Sequence, residues 1–464
     1  MNKDCFIYNF LEEAAAKWPE KRAIIYDTFE VSYKQLFDDV VRKAIHMQRF
    51  QGQRVAIYGP SSYRWIVNML GTVVSGKDVV LVDFFLPAQV RKGLLAKASV
   101  EFILTSTNQY ILADKDARII KNAEKDNVEG LKLDLKRGEG NILMFTATGG
   151  EYDKAAVLTS ENLVAAANAV NSKLTCGTKD VVLTPISMHR IFAVLYGLMW
   201  PLANGACVAV GRGLRHIDAD TYYYNATVLP ITPAMARYLT RVNGYNKELK
   251  KIIVGEAKCP KKYLESMMAR GVEAYTVYGA LETSGCIGIG RADEDGFELY
   301  DGVNATIAED GEILIGGDMI MAGYETDPEY TSKALDGGVY HTKDYGEFTA
   351  DGRLRLNKTN PDLIQLATGE KISKRVTCKQ LSELNGIADT CVVKYADLLT
   401  AIIVPVDKSD NEAKFRHLID KYNAKKGYRW EIQKIIVSQE ALPTKENGEH
   451  DEAKIIDKYL ACNQ

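Results

Sequence analysis

The chain has 464 residues, the length of about three domains or of two with one of them large, and 46% hydrophobic with 26% charged residues is the composition of an ordinary globular protein. Those figures exclude collagen, a coiled coil, a small disulfide scaffold and global disorder. With 58 Lys plus Arg against 61 Asp plus Glu, the net charge of -3 is too weak to recruit nucleic acid or an anionic membrane through the whole-molecule field. Hydrophobic periodicity predicts an amphipathic helix over residues 6–17, a strand over 23–26, a helix from Ser32 and a strand over 54–58 closed by Gly59-Pro60. A helix over 65–74, a strand over 79–82, a helix over 87–97 and a strand over 102–104 follow. Residues 181–183, 207–210, 228–230 and 252–254 read as further buried strands, and such alternation argues for parallel or mixed sheets with helices on their faces.

The stretch 191–211 is long enough to span a bilayer, but Pro201 and Asn204 interrupt it, so it reads as a buried helix followed by a buried strand. The eight cysteines form no C-x-x-C pair and the opening residues lack a signal-peptide core, which leads us to expect free thiols in a cytoplasmic setting. Between Gly296 and Leu356 short strands alternate with Gly-Asp turns, the pattern of a small antiparallel layer. Beyond Asn357-Lys358-Thr359-Asn360-Pro361 a compact α+β unit of about a hundred residues is expected. Its elements are a helix over 376–384, strands over 390–394 and 399–405, a helix over 411–422 and a strand over 432–437. The fold class is therefore α/β, with domains at 1–357 and 358–464.

Three clusters carry chemistry. Phe145-Thr146-Ala147-Thr148-Gly149-Gly150-Glu151-Tyr152-Asp153-Lys154 follows an apolar strand and offers amides, hydroxyls and an ammonium to phosphate oxygens. No G-K-[ST] follows, so it is not a Walker loop, and a polar turn is the competing reading. Tyr275-Thr276-Val277-Tyr278-Gly279-Ala280-Leu281-Glu282-Thr283 presents an aromatic to pack on a purine and a carboxylate suited to Mg²⁺, against the alternative of an ordinary strand cap. In His341-Thr342-Lys343-Asp344 an Asp expected at a strand end would accept ribose hydroxyls, unless the string is a surface turn.

In this order the pieces resemble the adenylate-forming superfamily of acyl-CoA synthetases, carrier-protein adenylation domains and luciferases, over nearly the whole chain. Lys154 falls on the lysine of the family's phosphate loop, and Leu158-Thr159-Ser160-Glu161-Asn162-Leu163 on the stretch after it. Thr184-Pro185-Ile186-Ser187-Met188-His189 matches L-P-x-F-H, Val254-Gly255-Glu256-Ala257 the G-G-A turn and Tyr278-Gly279-Ala280-Leu281-Glu282 the Y-G-x-T-E string. Gly317 to Tyr324 matches the G-Y stretch, Thr342-Lys343-Asp344 matches T-G-D, and 362–372 matches the hinge-following D-L-I segment of long-chain fatty acyl members.

The resemblance implies a large N-terminal domain of stacked sheets, a mobile C-terminal lid, and activation of a fatty or aryl carboxylic acid by Mg·ATP to acyl-AMP. Transfer to a thiol of coenzyme A or of an acyl carrier protein's phosphopantetheine would follow, with neither nucleic acid nor a membrane span involved. It assigns Lys154, Thr146, Thr148, Gly149 and Gly150 to phosphates, Glu282 to Mg²⁺, and Asp344 to ribose. Gly255, Glu256, Ala257, Tyr278 and Gly279 would border the adenine, with Lys358 in place of the family's arginine, while His189, Val254, Cys286 and Gly288 would wall the acid pocket. Several positions depart from the pattern: Glu151 is an anion near phosphates, Leu281 replaces a threonine and Lys343 a glycine. The late catalytic lysine is Lys454 if Glu446-Asn447-Gly448 aligns with a one-residue deletion; Lys445 is the other option, and Glu449 in the motif position would mark its loss. A catalytically degenerate nucleotide- or acyl-binding protein is the alternative to a ligase.

Overall fold

The computed structural model describes residues 5–105, 118–121, 128–146, 154–242, 244–325, 327–358, 362–366, 371–395, 398–424, 431–445 and 450–460. Its contacts divide the chain into a large unit, residues 1–84, 92–146 and 154–359, and a small one, residues 85–91, 147–153 and 360–464.

Among the described residues the large unit holds a nine-stranded sheet. Edge to edge it runs Glu298–Leu299, Gly288–Arg291, Glu273–Tyr278, Lys251–Val254, Val228–Ile231, Val181–Thr184, Cys207–Val210, Arg22–Tyr26 and Phe29–Ser32. The strands from Glu273–Tyr278 through Arg22–Tyr26 are parallel, Phe29–Ser32 and Gly288–Arg291 flank them antiparallel, and Glu298–Leu299 is antiparallel to Gly288–Arg291. Parallel strands are covered on both faces, which is why these read as unbroken apolar runs. Val182, Val208 and Ile253 point to one core, while Leu183, Ala209 and Ile252 point to another on the opposite face. A seven-stranded sheet runs Gly323–Tyr324, Lys154–Leu158, Ile142–Thr146, Asp78–Leu81, Arg54–Tyr58, Phe102–Thr105 and Arg118–Lys121. Val55, Ile57, Val79 and Leu81 from this sheet join Val182 and Val208 in one continuous core, filled between the sheets by helices Phe6–Lys17, Tyr33–Gln48, Tyr63–Val74 and Ser160–Val170.

Local chemistry sets several helix starts. Ser32 Oγ accepts the Gln35 N–H at 3.2 Å and Ser62 Oγ the Trp65 N–H at 3.2 Å. Helix Phe6–Lys17 has no side-chain cap of its own; instead Glu139, from far along the chain, accepts the N–H groups of Ile7 at 2.9 Å and Tyr8 at 2.7 Å. The apolar stretch from Ile191 is broken into helix Ile191–Val194, a π turn Leu195–Met199 and helix Trp200–Ala203, followed by strand Cys207–Val210. Among the described residues no helix is long and apolar enough to cross a membrane.

The small antiparallel layer consists of Asn304–Ile307, Glu312–Gly316, Val339–Phe348, Leu335–Asp336 and Leu354–Lys358. In the small unit a hairpin Ile387–Tyr395 and Leu398–Pro405 is extended by the parallel strand Lys434–Val437. Helices Lys374–Ser382 and Glu412–Asn423 enclose a separate apolar core containing Val392, Ala401 and Phe415.

Candidate functional site

Strand Glu273–Tyr278 delivers the first carboxylate. It ends at Gly279, where an added Cβ would lie 2.2 Å from the Gly285 carbonyl oxygen, so only glycine lets the chain turn there. The short turn Leu281–Thr283 follows, tied by the Ala280 N–H to Thr283 Oγ1 at 3.0 Å, and buries Glu282 to 7% exposure. Tyr324 Oη donates to Glu282 Oε1 at 2.6 Å, while the Met321 N–H meets the Glu282 carbonyl at 2.9 Å. The stretch up to Tyr324 is thereby clamped onto the acidic turn. Oε2 of Glu282 accepts no bond from the described residues.

The second carboxylate, Asp344, is also 7% exposed and accepts the Tyr278 hydroxyl at 3.1 Å. Its place corrects the expectation of a strand end: Asp344 sits within strand Val339–Phe348, at an irregularity where Leu314 pairs with His341 but Glu312 with Tyr345. Three residues, Thr342 to Asp344, thus oppose one, and the extra length turns the carboxylate out of the ladder. Lys343 takes φ +59°, the left-handed region that glycine occupies freely. Thr342 Oγ1 donates to the Ile313 carbonyl at 2.8 Å and accepts the Asp344 N–H at 3.0 Å. Buried Glu312 accepts the Lys343 N–H at 2.9 Å and lies 3.1 Å from His341 Nδ1. Burial alone would raise the Glu312 carboxyl, but the bonds from His341 and Lys343 outweigh it and hold it below its ordinary value.

Tyr340 is buried on the same strand as Asp344. Burial first, then Glu282, Tyr278 and Asp344, push its phenol well above the usual value, and burial with Glu282 does the same to Tyr324. Both remain protonated hydroxyls. At the other side of this cluster Lys154 Nζ stands 3.1 Å from the Tyr330 ring centroid, and Tyr330 packs on Tyr324 with centroids 5.3 Å apart. The path from ammonium to Glu282 therefore runs through two aromatic rings. Thr146 pairs with Lys154 across the ladder, but Thr148, Gly149, Gly150 and Glu151 lie outside the described residues. Downstream, Thr159 and Asn162 form a reciprocal capping box at 3.1 and 2.9 Å, and Asn162 Nδ2 also reaches the Asp318 carbonyl at 2.6 Å. This part of the motif stretch is scaffolding that fixes the strand bearing Lys154.

Elsewhere in the large unit His189 Nδ1 lies 2.9 Å from Ser187 Oγ, and Nε2 lies 3.4 Å from the buried carboxylate of Asp83. Arg190 pairs with Glu256 at 2.6 Å. Glu256 itself takes φ +69°, and a Cβ at the preceding Gly255 would meet the Phe192 ring at 2.4 Å. The G-E-A turn is therefore held by a ring on one side and an ion pair on the other, with Ala257 half-buried beside it. Val254 and Cys286 are 1% and 0% exposed; the thiol points to the Ala166 carbonyl at 3.8 Å, and burial raises its pKa strongly. Both side chains are buried within the apolar cores of the large unit. Gly288 lies in strand Gly288–Arg291 against Phe297 and Glu298.

Lys358 ends strand Leu354–Lys358, opposite Tyr345. In the small unit Lys454 lies in the first turn of helix Glu452–Tyr459, its side chain 71% exposed and 3.2 Å from Asp451. Lys445 is exposed, and residues 446–449 lie outside the described set. Among the described residues no cluster of three or more His, Cys, Asp or Glu could hold a metal. Glu282 as a single carboxylate with a spare oxygen nevertheless fits Mg²⁺, which takes one or two carboxylates and fills its shell from phosphates and water. Tyr330, Tyr340, Glu312, Arg190 and Asp83 were not foreseen: the irregular strand breaks the period-two pattern that would have placed Tyr340 and Asp344 together.

Comparison with known proteins adds three kinds of likeness. The model of the AMP-binding enzyme family matches residues 11–325. A 3-[(3aS,4S,7aS)-7a-methyl-1,5-dioxo-octahydro-1H-inden-4-yl]propanoyl:CoA ligase of Mycobacterium tuberculosis is 24% identical, covering 83% of this chain and 85% of its own. A long-chain-fatty-acid–CoA ligase of the same organism is 20% identical over 89% of each chain. The solved structure of an o-succinylbenzoate CoA synthetase from Bacillus subtilis, with its product analogue, superimposes with a TM-score of 0.81 at 18% identity, covering 97% of this chain and 98% of that one.

Proposed function

The chain belongs to the AMP-binding enzyme family, and from that premise we propose that it activates a fatty or aryl carboxylic acid with ATP and passes the acyl group to a thiol of coenzyme A or of a carrier protein. The observation that carries this reading is the buried pair Glu282 and Asp344, each receiving a tyrosine hydroxyl. An oxygen-only pair of this kind suits a nucleotide triphosphate: one carboxylate for a divalent cation, the other for the paired hydroxyls of a ribose.

In the first step a carboxylate oxygen of the acid attacks the α-phosphorus in line, the bond to the bridging oxygen breaks, and pyrophosphate leaves. Such chemistry asks the protein for positioning and charge neutralisation. Glu282 would hold Mg²⁺, which when bound neutralises phosphate charge. Tyr324 keeps that carboxylate oriented with its spare oxygen available. Lys154, anchored over Tyr330, would supply a cation to the phosphates, with Thr146, Thr148 and the amides of Gly149 and Gly150. Asp344 would accept the ribose hydroxyls, Gly255 to Ala257, Tyr278 and Gly279 would border the base, and Lys358 would add a further cation. His189 would border the acid, oriented by Asp83. Lys454 would approach the α-phosphate once its Asp451 pairing opens, and rotation of a C-terminal domain, residues 358–464, would admit the thiol. No enzyme thiol is required, and a chain without a C-x-x-C pair suits a reducing, cytoplasmic setting.

ATP–pyrophosphate exchange across short, medium and long fatty acids and aryl acids tests the reading. Stimulation by one acid class is the expected result. Binding of ATP with no exchange for any acid would instead favour a nucleotide-binding protein that has lost turnover.

A further inference from the structure

Glu312 touches neither Asp344 nor any group assigned above to a ligand, yet it is a carboxylate at 5% exposure. Burying a charge is costly unless bonds compensate it, and here every bond goes to residues around the Asp344 irregularity. Oε1 accepts the Lys343 N–H at 2.9 Å and lies 3.3 Å from Lys343 Nζ, and Oε2 faces His341 Nδ1 at 3.1 Å. Between these two partners Thr342 closes onto the Ile313 carbonyl. Lys343 is held at φ +59°, a conformation that costs a residue with a side chain more than it costs glycine.

We propose that Glu312 is a positioning residue for nucleotide binding, holding Lys343 in its left-handed conformation and thereby aiming Asp344 at the ribose. The inference rests on the reading of Asp344 as the ribose acceptor. If the lysine backbone relaxed to an extended conformation, the irregularity would collapse toward a regular ladder and the Asp344 carboxylate would leave the Tyr278 hydroxyl. A glycine at position 343 needs no such hold. The dependence on Glu312 is therefore a consequence of this chain having lysine there.

The test is a double-mutant cycle read by ATP affinity in calorimetry and by separate KM values for ATP and acid. D344N, expected to weaken ATP binding, is the reference. E312A should weaken ATP binding roughly tenfold, raising KM for ATP and leaving KM for the acid in place. E312Q, which keeps an oxygen for the Lys343 N–H, should fall between wild type and E312A. E312A/K343G should return to within about threefold of wild type, because the tenfold loss stems from the backbone preference alone. If E312A binds ATP as wild type does, or if K343G fails to restore it, the proposal falls while the ribose reading stands on D344N. A lowered Tm with both KM values raised and no rescue would mark Glu312 as merely structural and also overturn it. If D344N binds ATP normally, the ribose reading and the proposal fall together.

Discussion

Two hydroxyl-to-carboxylate bonds set the character of the site, and they differ in what their loss would do. Glu282→Ala removes the carboxylate proposed for the cation and should abolish pyrophosphate exchange while the circular dichroism spectrum stays that of wild type. Exchange retained at saturating Mg²⁺ would remove Glu282 from the mechanism. Tyr324→Phe keeps the carboxylate but deletes its 2.6 Å donor, so exchange should slow by about tenfold, the equivalent of a bond of roughly 1.5 kcal/mol to a charged group. Lys454→Ala should slow adenylate formation far more than Lys445→Ala in single-turnover assays; equal and small effects would mean that neither ammonium reaches the α-phosphate. At this scale Glu282 and Asp344 could be singled out from the chain by the resemblance of their strings to family motifs, and both carboxylates are buried. Their supports could not, since Tyr340 and Glu312 come into place only through a strand irregularity.

Helix and strand positions were readable where an apolar period or run was unbroken. Residues 6–17 and 54–58 fold as the periodicity predicts, with Phe6–Lys17 and Arg54–Tyr58 as the observed bounds, and Ser32 caps the helix it was expected to begin. Strand Arg118–Lys121 and helix Glu452–Tyr459 went unread, one short and one marked chiefly by charge. The π turn Leu195–Met199 was hidden too, because a run apolar on every side carries no period to betray a change of helical pitch. Helix Phe6–Lys17 shows a different limit, for its cap is the distant Glu139. Glu139→Ala would leave the Ile7 and Tyr8 amides unpaired and should cost about 1–2 kcal/mol in chemical denaturation. Burial outweighs those bonds and raises the Glu139 carboxyl above its ordinary value of 4.5. Because the folded state holds this proton more tightly, the group's contribution to stability is greatest below that value and declines as pH rises through its folded pKa. The stability difference between wild type and E139Q should therefore shift against wild type from about pH 4.5 upward.

The plan of the whole molecule, a large α/β body with a small antiparallel layer and then an α+β unit, followed from the order of elements and from the shift in composition after residue 357. The C-terminal stretch has its own core around Val392, Ala401 and Phe415 and its own three-stranded sheet. Residues 358–464 made alone should therefore unfold cooperatively and protect the amides of Ile387–Tyr395 and Leu398–Pro405 from exchange; unprotected amides would show that this stretch depends on the rest. In the large body, strand Arg22–Tyr26 has its parallel neighbour at Cys207–Val210, and the first helix has its cap at Glu139. A ribosome delivers those partners one after the other. The opening helix emerges with bare amides until residue 139 is made, and the edge hairpin of the nine-stranded sheet offers an unsatisfied strand until residue 210 clears the exit tunnel. At about 5–20 residues per second this leaves an interval of roughly 10–40 seconds in which a nascent-chain chaperone has a defined surface to cover.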